Sequence, residues 1–143
     1  MATDELTQVI ARYHQSVEAF IQGNPEPQKH LWSRREDVTL ANPLGPPVRG
    51  WPQVEGALDR AASLVRDGVV EGTERISEVE TADLAYIVEI ERERIKIGGA
   101  DAVVSASLRA TSIFRREEGT WRLVHRHADP ITAPRSIESL VER

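Results

Sequence analysis

Leu6, Val9, Ile10, Tyr13, Val17, Phe20 and Ile21 recur at spacings of three and four, the apolar stripe of an amphipathic helix. Asp4 and Glu5 lie where the helix dipole favours anions, and Gly23-Asn24-Pro25 ends the pattern. A short second helix is predicted over 27–32, then a brief apolar strand over 38–42. The segment 43–47, with three prolines, cannot continue a ladder and reads as a rigid loop. Pro52 suits the first turn of a third helix, with Val54, Leu58, Ala61 and Val65 on one face and Gly68 as its stop. Beyond it the period changes to two. Four strands are predicted over 73–80, 84–97, 102–116 and 120–129, and their short connections require antiparallel neighbours. The tail over 136–142 is expected to form one or two helical turns.

Helices first and a meander of long strands afterwards make an α+β pattern, with helices on one face of a curved antiparallel sheet. Strands this long twist and curl, so a cavity is expected between sheet and helices. A chain of 143 residues with 40% hydrophobic content suits one domain spanning 1–143. Its net charge of −5, with arginines interleaved among glutamates, offers no basic field for nucleic acid. It contains no cysteine, which excludes thiol nucleophiles, disulfides and thiolate metal sites. No stretch is apolar enough to span a membrane and the N-terminus lacks the features of a signal peptide, so a cytoplasmic protein is expected.

Candidate chemistry concentrates in the last strand, Trp121-Arg122-Leu123-Val124-His125-Arg126-His127-Ala128-Asp129. Uninterrupted alternation sends His125, His127 and Asp129 to the face that carries Trp121 and Leu123. His127 oriented by Asp129 is then a candidate proton carrier, and His125 a hydrogen-bonded wall residue. The alternative is a strand-end pair whose members satisfy each other. Steps of roughly 7 Å along a strand are too long for one ion to take all three, so no metal is expected. In Glu89-Ile90-Glu91-Arg92-Glu93-Arg94 the glutamates occupy one face and the arginines the other. Tyr86, Val88 and Ile90 put the arginines on the apolar side, so Arg92 is either a carboxylate-binding group in the cavity or one rung of a solvated ladder. Trp32, Trp51 and Trp121 suit packing; Trp32 and Trp51 are also candidate pocket residues, with Trp51 placed to edge a mouth.

Together with this element order, Arg12-Tyr13, Asn42-Pro43-Leu44-Gly45 and Trp121-Arg122-Leu123-Val124-His125-Arg126-His127 resemble the SnoaL-like branch of the NTF2-like superfamily. That superfamily includes ketosteroid isomerases, scytalone dehydratase and polyketide cyclases. The resemblance covers about 6–129 and implies a cone-shaped fold with an internal pocket and a homodimer formed through the sheet. It puts Tyr13 where ketosteroid isomerases carry an oxyanion-hole tyrosine, and Asn42 where they carry a general-base aspartate. Asparagine does not titrate, and Thr111 or Ser112 stands where those enzymes have a second acidic donor, so steroid isomerisation is not implied.

Two functions follow. One is cofactor-free acid–base chemistry, an isomerisation, dehydration or cyclisation of a small apolar molecule bearing oxygen. In it His127 and Asp129 move the proton, and Tyr13 and Asn42 hold the oxygen. The other is a non-catalytic module that uses the same pocket or the outer sheet face for ligand binding or dimerisation.

Overall fold

The structure, a computed structural model, describes residues 3–142. Helix α1 (Asp4–Ile21) begins where the Thr3 hydroxyl accepts the Leu6 amide at 3.2 Å. It closes at Gly23, whose φ of 96° a side chain would resist. Then come α2 (Glu26–Leu31), β1 (Thr39–Ala41), β2 (Val48–Arg49) and α3 (Trp51–Ala62). The long strands β3 (Val65–Glu80), β4 (Leu84–Ile97), β5 (Val104–Glu117) and β6 (Thr120–Asp129) follow, and a 3-10 turn spans Ile137–Leu140. Among the described residues no helix is long and apolar enough to cross a membrane.

Two expectations about these elements change. Val65 and Gly68 belong to β3 rather than to α3, and β3 begins eight residues before the predicted strand start at 73. Branched Val65, Val69 and Val70 favour extended backbone. Gly68 lets β3 cross α1 closely, since a Cβ there would lie 2.5 Å from Ile21 Cγ1. The sheet is also mixed rather than wholly antiparallel. Its order is β2-β1-β6-β5-β4-β3, with β1 parallel to β6 and antiparallel to the short β2, a strand the alternation did not reveal.

The curved sheet folds over α1 and α3, and the core lies between them, with Leu6, Tyr13, Trp32, Phe114 and Leu123 almost wholly buried. On β4 the inward set is Ala85, Ile87, Glu89, Glu91, Glu93 and Ile95. The outward set is Tyr86, Val88, Ile90, Arg92 and Arg94. On β6 the pairing runs Phe114↔Leu123 and then Ile113↔His125, so Val124 is an extra residue, a β-bulge. Trp121 and Leu123 point inward before it. Arg126 and Ala128 point inward after it, because one added residue exchanges the two faces.

Candidate functional site

A largely apolar cavity of about 230 Å³ lies between α1, α3 and the inner face of β4, β5 and β6. Val17, Phe20 and Leu58 form its helical wall, and Asn42 to Leu44 its rim. A neighbouring groove of about 360 Å³ shares Leu40, Asn42, Leu44 and Ala61, so the loop after β1 stands between the two spaces. Among the described residues only three charged side chains line the cavity: Glu91, Glu93 and Arg126.

Glu91 and Arg126 form a two-pronged ion pair at 2.8 and 2.9 Å, with Glu91 2% and Arg126 9% exposed. Arg126 also donates to the Tyr13 hydroxyl, which accepts a second hydrogen bond from Ser112 at 2.6 Å. Burial pushes the Tyr13 phenol up to about 12, although the adjacent guanidinium opposes that rise. Tyr13 is therefore a fixed hydrogen-bonding post. Burial would also lower the Arg126 guanidinium, but Glu91 and Tyr13 more than offset this and hold it above its ordinary range.

Glu93, two residues along β4, is 5% exposed, and its Oε2 has no hydrogen-bond partner among the described residues. Burial pushes its carboxyl up to about 7, with the Glu91 charge adding and Arg126 opposing. A carboxyl that changes protonation near neutrality inside an apolar cavity can give or take a proton at working pH. Glu89 is managed differently. Burial alone would raise it, but contacts with His14 at 2.9 Å and Arg75 at 2.7 Å hold its carboxyl below the usual range.

The residues singled out from the sequence separate into three places. Tyr13 and Asn42 belong to the inner side: Tyr13 behind Arg126, and Asn42 on the rim, where its Oδ1 accepts the Leu44 amide at 3.0 Å. His125, His127 and Asp129 do not share that cavity. The Val124 bulge puts all three on the outer face, where His127 is half exposed and 3.2 Å from Asp129. There Asp129 accepts from Arg109 at 2.7 Å, which holds its carboxyl below the usual range. His125 Nδ1 lies 2.7 Å from the Thr39 hydroxyl, and burial, then repulsion from His127, lower its pKa. Arg92 also points outward, 3.2 Å from Glu74, because β4 has the opposite phase to the one expected.

Trp32 and Trp51 do not line the cavity either. Trp32 is core beside Leu123, and Trp51 packs under the Arg34 guanidinium, 3.9 Å from its ring centre. Sequence reasoning missed Arg126, Glu91 and Glu93. Two signals pointed to them: the adjacent apolar pair Leu123-Val124, which breaks the alternation, and Ala85, Ile87 and Ile95, which share the parity of the glutamates.

The profile of the SnoaL-like domain matches residues 8–133. No curated protein matches in sequence. Among solved structures, a ketosteroid isomerase-like protein from Erwinia carotovora atroseptica superposes with a TM-score of 0.75 at 17% identity, covering 92% of this chain and 100% of that one. A protein from Streptomyces avermitilis, provisionally assigned as a dehydratase of the NTF2-like family, gives 0.73 at 20% identity over 90% and 98%. A protein from Thiobacillus denitrificans, provisionally assigned as a calcium/calmodulin-dependent protein kinase type II association domain, gives 0.67 at 23% identity over 87% and 93%.

Proposed function

The chain belongs to the SnoaL-like domain family, with an NTF2-like fold, and on that premise we propose that its cavity binds a small, mainly apolar molecule whose polar end meets Glu93 and the Glu91–Arg126 pair. The observation that carries this reading is the buried, unpartnered Glu93 oxygen at an apolar cavity. An unpaired buried carboxyl costs stability, and such a cost is retained where a ligand uses the group. The chemistry available is cofactor-free proton transfer. Glu93 is half ionised near neutrality and exchanges the proton, while Arg126, engaged by Glu91 and Tyr13, forms a fixed, charge-paired part of the wall beside it. Isomerisation, dehydration and aldol-type cyclisation all need such a group.

Native mass spectrometry of the protein against a small-molecule library tests the binding, with Ala106→Trp filling the cavity as the control. Molecules retained by the wild type and lost by the folded Ala106→Trp variant support the reading, and equal retention by both refutes it. Solvent deuterium incorporation into a retained molecule, abolished by Glu93→Gln, tests the chemistry.

The outer face favours a second role in assembly. Val79, Tyr86 and Ile113 lie in one cross-strand row, beside Val88 and Ile90. Tyr86 and Val79 are each 38% exposed. A two-fold homodimer through this face buries that stripe, while the Arg92–Glu74 and Arg109–Asp129 pairs at its margins set register. The similarity to a provisionally assigned association domain supports this reading. Sedimentation equilibrium at micromolar concentration tests it, and a 16.0 kDa species that does not self-associate refutes it.

A further inference from the structure

The charges that line the cavity do not balance. Arg126 spends its positive charge on Glu91 through two hydrogen bonds, and a third goes to Tyr13. Among the described residues Glu93 has no cation of its own, and its Oε2 is buried without a donor. Every other element around the cavity contributes only apolar or amide side chains: Val17, Phe20 and Gln28 from the helices, Leu40 and Asn42 near the rim, Leu108 from β5. Glu91 on the same strand and Arg126 from β6 are therefore the charged groups facing Glu93, and they act on it in opposite directions, with Glu91 the stronger.

A neutral hydroxyl on a ligand gives the Glu93 carboxylate one hydrogen bond but leaves its charge uncompensated. An anionic ligand meets two carboxylates and a guanidinium already engaged. Only a cation supplies both the missing donor and the missing charge, and the apolar walls ask that the rest of the molecule be hydrocarbon.

We infer that the ligand carries a basic nitrogen: the cavity takes a small apolar amine as its ammonium ion, with Glu93 as the counter-ion. This rests on the binding half of the function proposed above and not on turnover. The ammonium donates to the Glu93 carboxylate, and its hydrocarbon body lies against α1 and α3. Because the ion pair needs Glu93 ionised while the amine stays protonated, binding strengthens as pH rises through neutrality.

Three probes of one shape decide the matter: cyclohexylmethylamine, cyclohexylmethanol and cyclohexanecarboxylate, titrated calorimetrically into the whole protein at about pH 8. The amine is expected to bind at least about tenfold more tightly than the alcohol, with the carboxylate weakest. Its affinity should fall about tenfold between about pH 8 and about pH 6, as Glu93 passes from mostly ionised to mostly protonated around 7. Glu93→Gln should remove the preference for the amine and leave the alcohol unchanged, while Glu93→Asp, which keeps the charge, should preserve part of it. Alcohol and amine binding equally in the wild type overturns the amine inference while the cavity reading stands. Binding of the probes that is unaltered in the folded Ala106→Trp variant overturns both.

Discussion

Replacing Arg126 with methionine removes the cation from the buried pair while keeping most of the side-chain volume. It leaves Glu91, 2% exposed, with neither of its hydrogen bonds from Arg126, and deprives the Tyr13 hydroxyl of one of its two donors. Breaking a buried ion pair from one side costs about 3–5 kcal/mol, because the remaining charge stays buried and uncompensated. That is a large share of the roughly 5–15 kcal/mol that holds a domain of this size together. Removing both charges relieves the penalty, so Glu91→Gln combined with Arg126→Met is expected to recover at least half of the loss. Urea unfolding at pH 7, followed by tryptophan fluorescence with slopes compared between variants, reads all three stabilities. A loss below about 1 kcal/mol for Arg126→Met, or a double variant as unstable as the single one, refutes the reasoning, because a solvated surface pair behaves in that way.

Glu93 makes stability depend on pH in a defined direction. Its folded-state value of about 7 exceeds the ordinary 4.5, so the contribution is fully present below about 4.5 and is lost as pH rises through 7. Relative to Glu93→Gln, the wild type should lose about 3 kcal/mol across that interval, and parallel profiles in urea titrations would disprove it. His127→Ala, on the outer face, should change monomer stability by no more than about 0.5 kcal/mol and leave ligand capture in the cavity intact. Lost capture with an unchanged melting curve would put the histidine back in the site. Gly68→Ala should cost about 1–3 kcal/mol, since the new methyl meets the side chain and carbonyl of Ile21 at 2.5–2.6 Å. Unchanged thermal unfolding would mean that β3 and α1 do not cross so closely.

Most of the architecture was legible because periodicity reports burial directly. The stripe from Leu6 to Ile21 is the buried face of α1, and β4 occupies the predicted interval 84–97. Misreadings arose where local pattern carries two meanings. Val65 continues the face of a helix by spacing, yet as a branched residue it also starts β3, and tertiary contact with α1 decided for the strand. On β4 both faces are apolar at the N-terminal end, so Tyr86, Val88 and Ile90 outvoted Ala85 and Ile87. The true phase depends on His14, Arg75 and Arg126, partners from 14 to 75 residues away that compensate the inward glutamates. The site itself turned on one residue. Val124 has no opposite partner, and that bulge alone moved His125, His127 and Asp129 outward and brought Arg126 in.

The central claim is that Glu93 is a buried, unpaired carboxyl in the cavity, and its titration by carbon-13 NMR of the side-chain carboxyl tests this most directly. With Glu93→Gln used to assign the resonance, the account predicts a midpoint near 7 in the ligand-free protein. A midpoint at the ordinary 4.5 would mean that water or a cation already serves the group, and would contradict the site built around it.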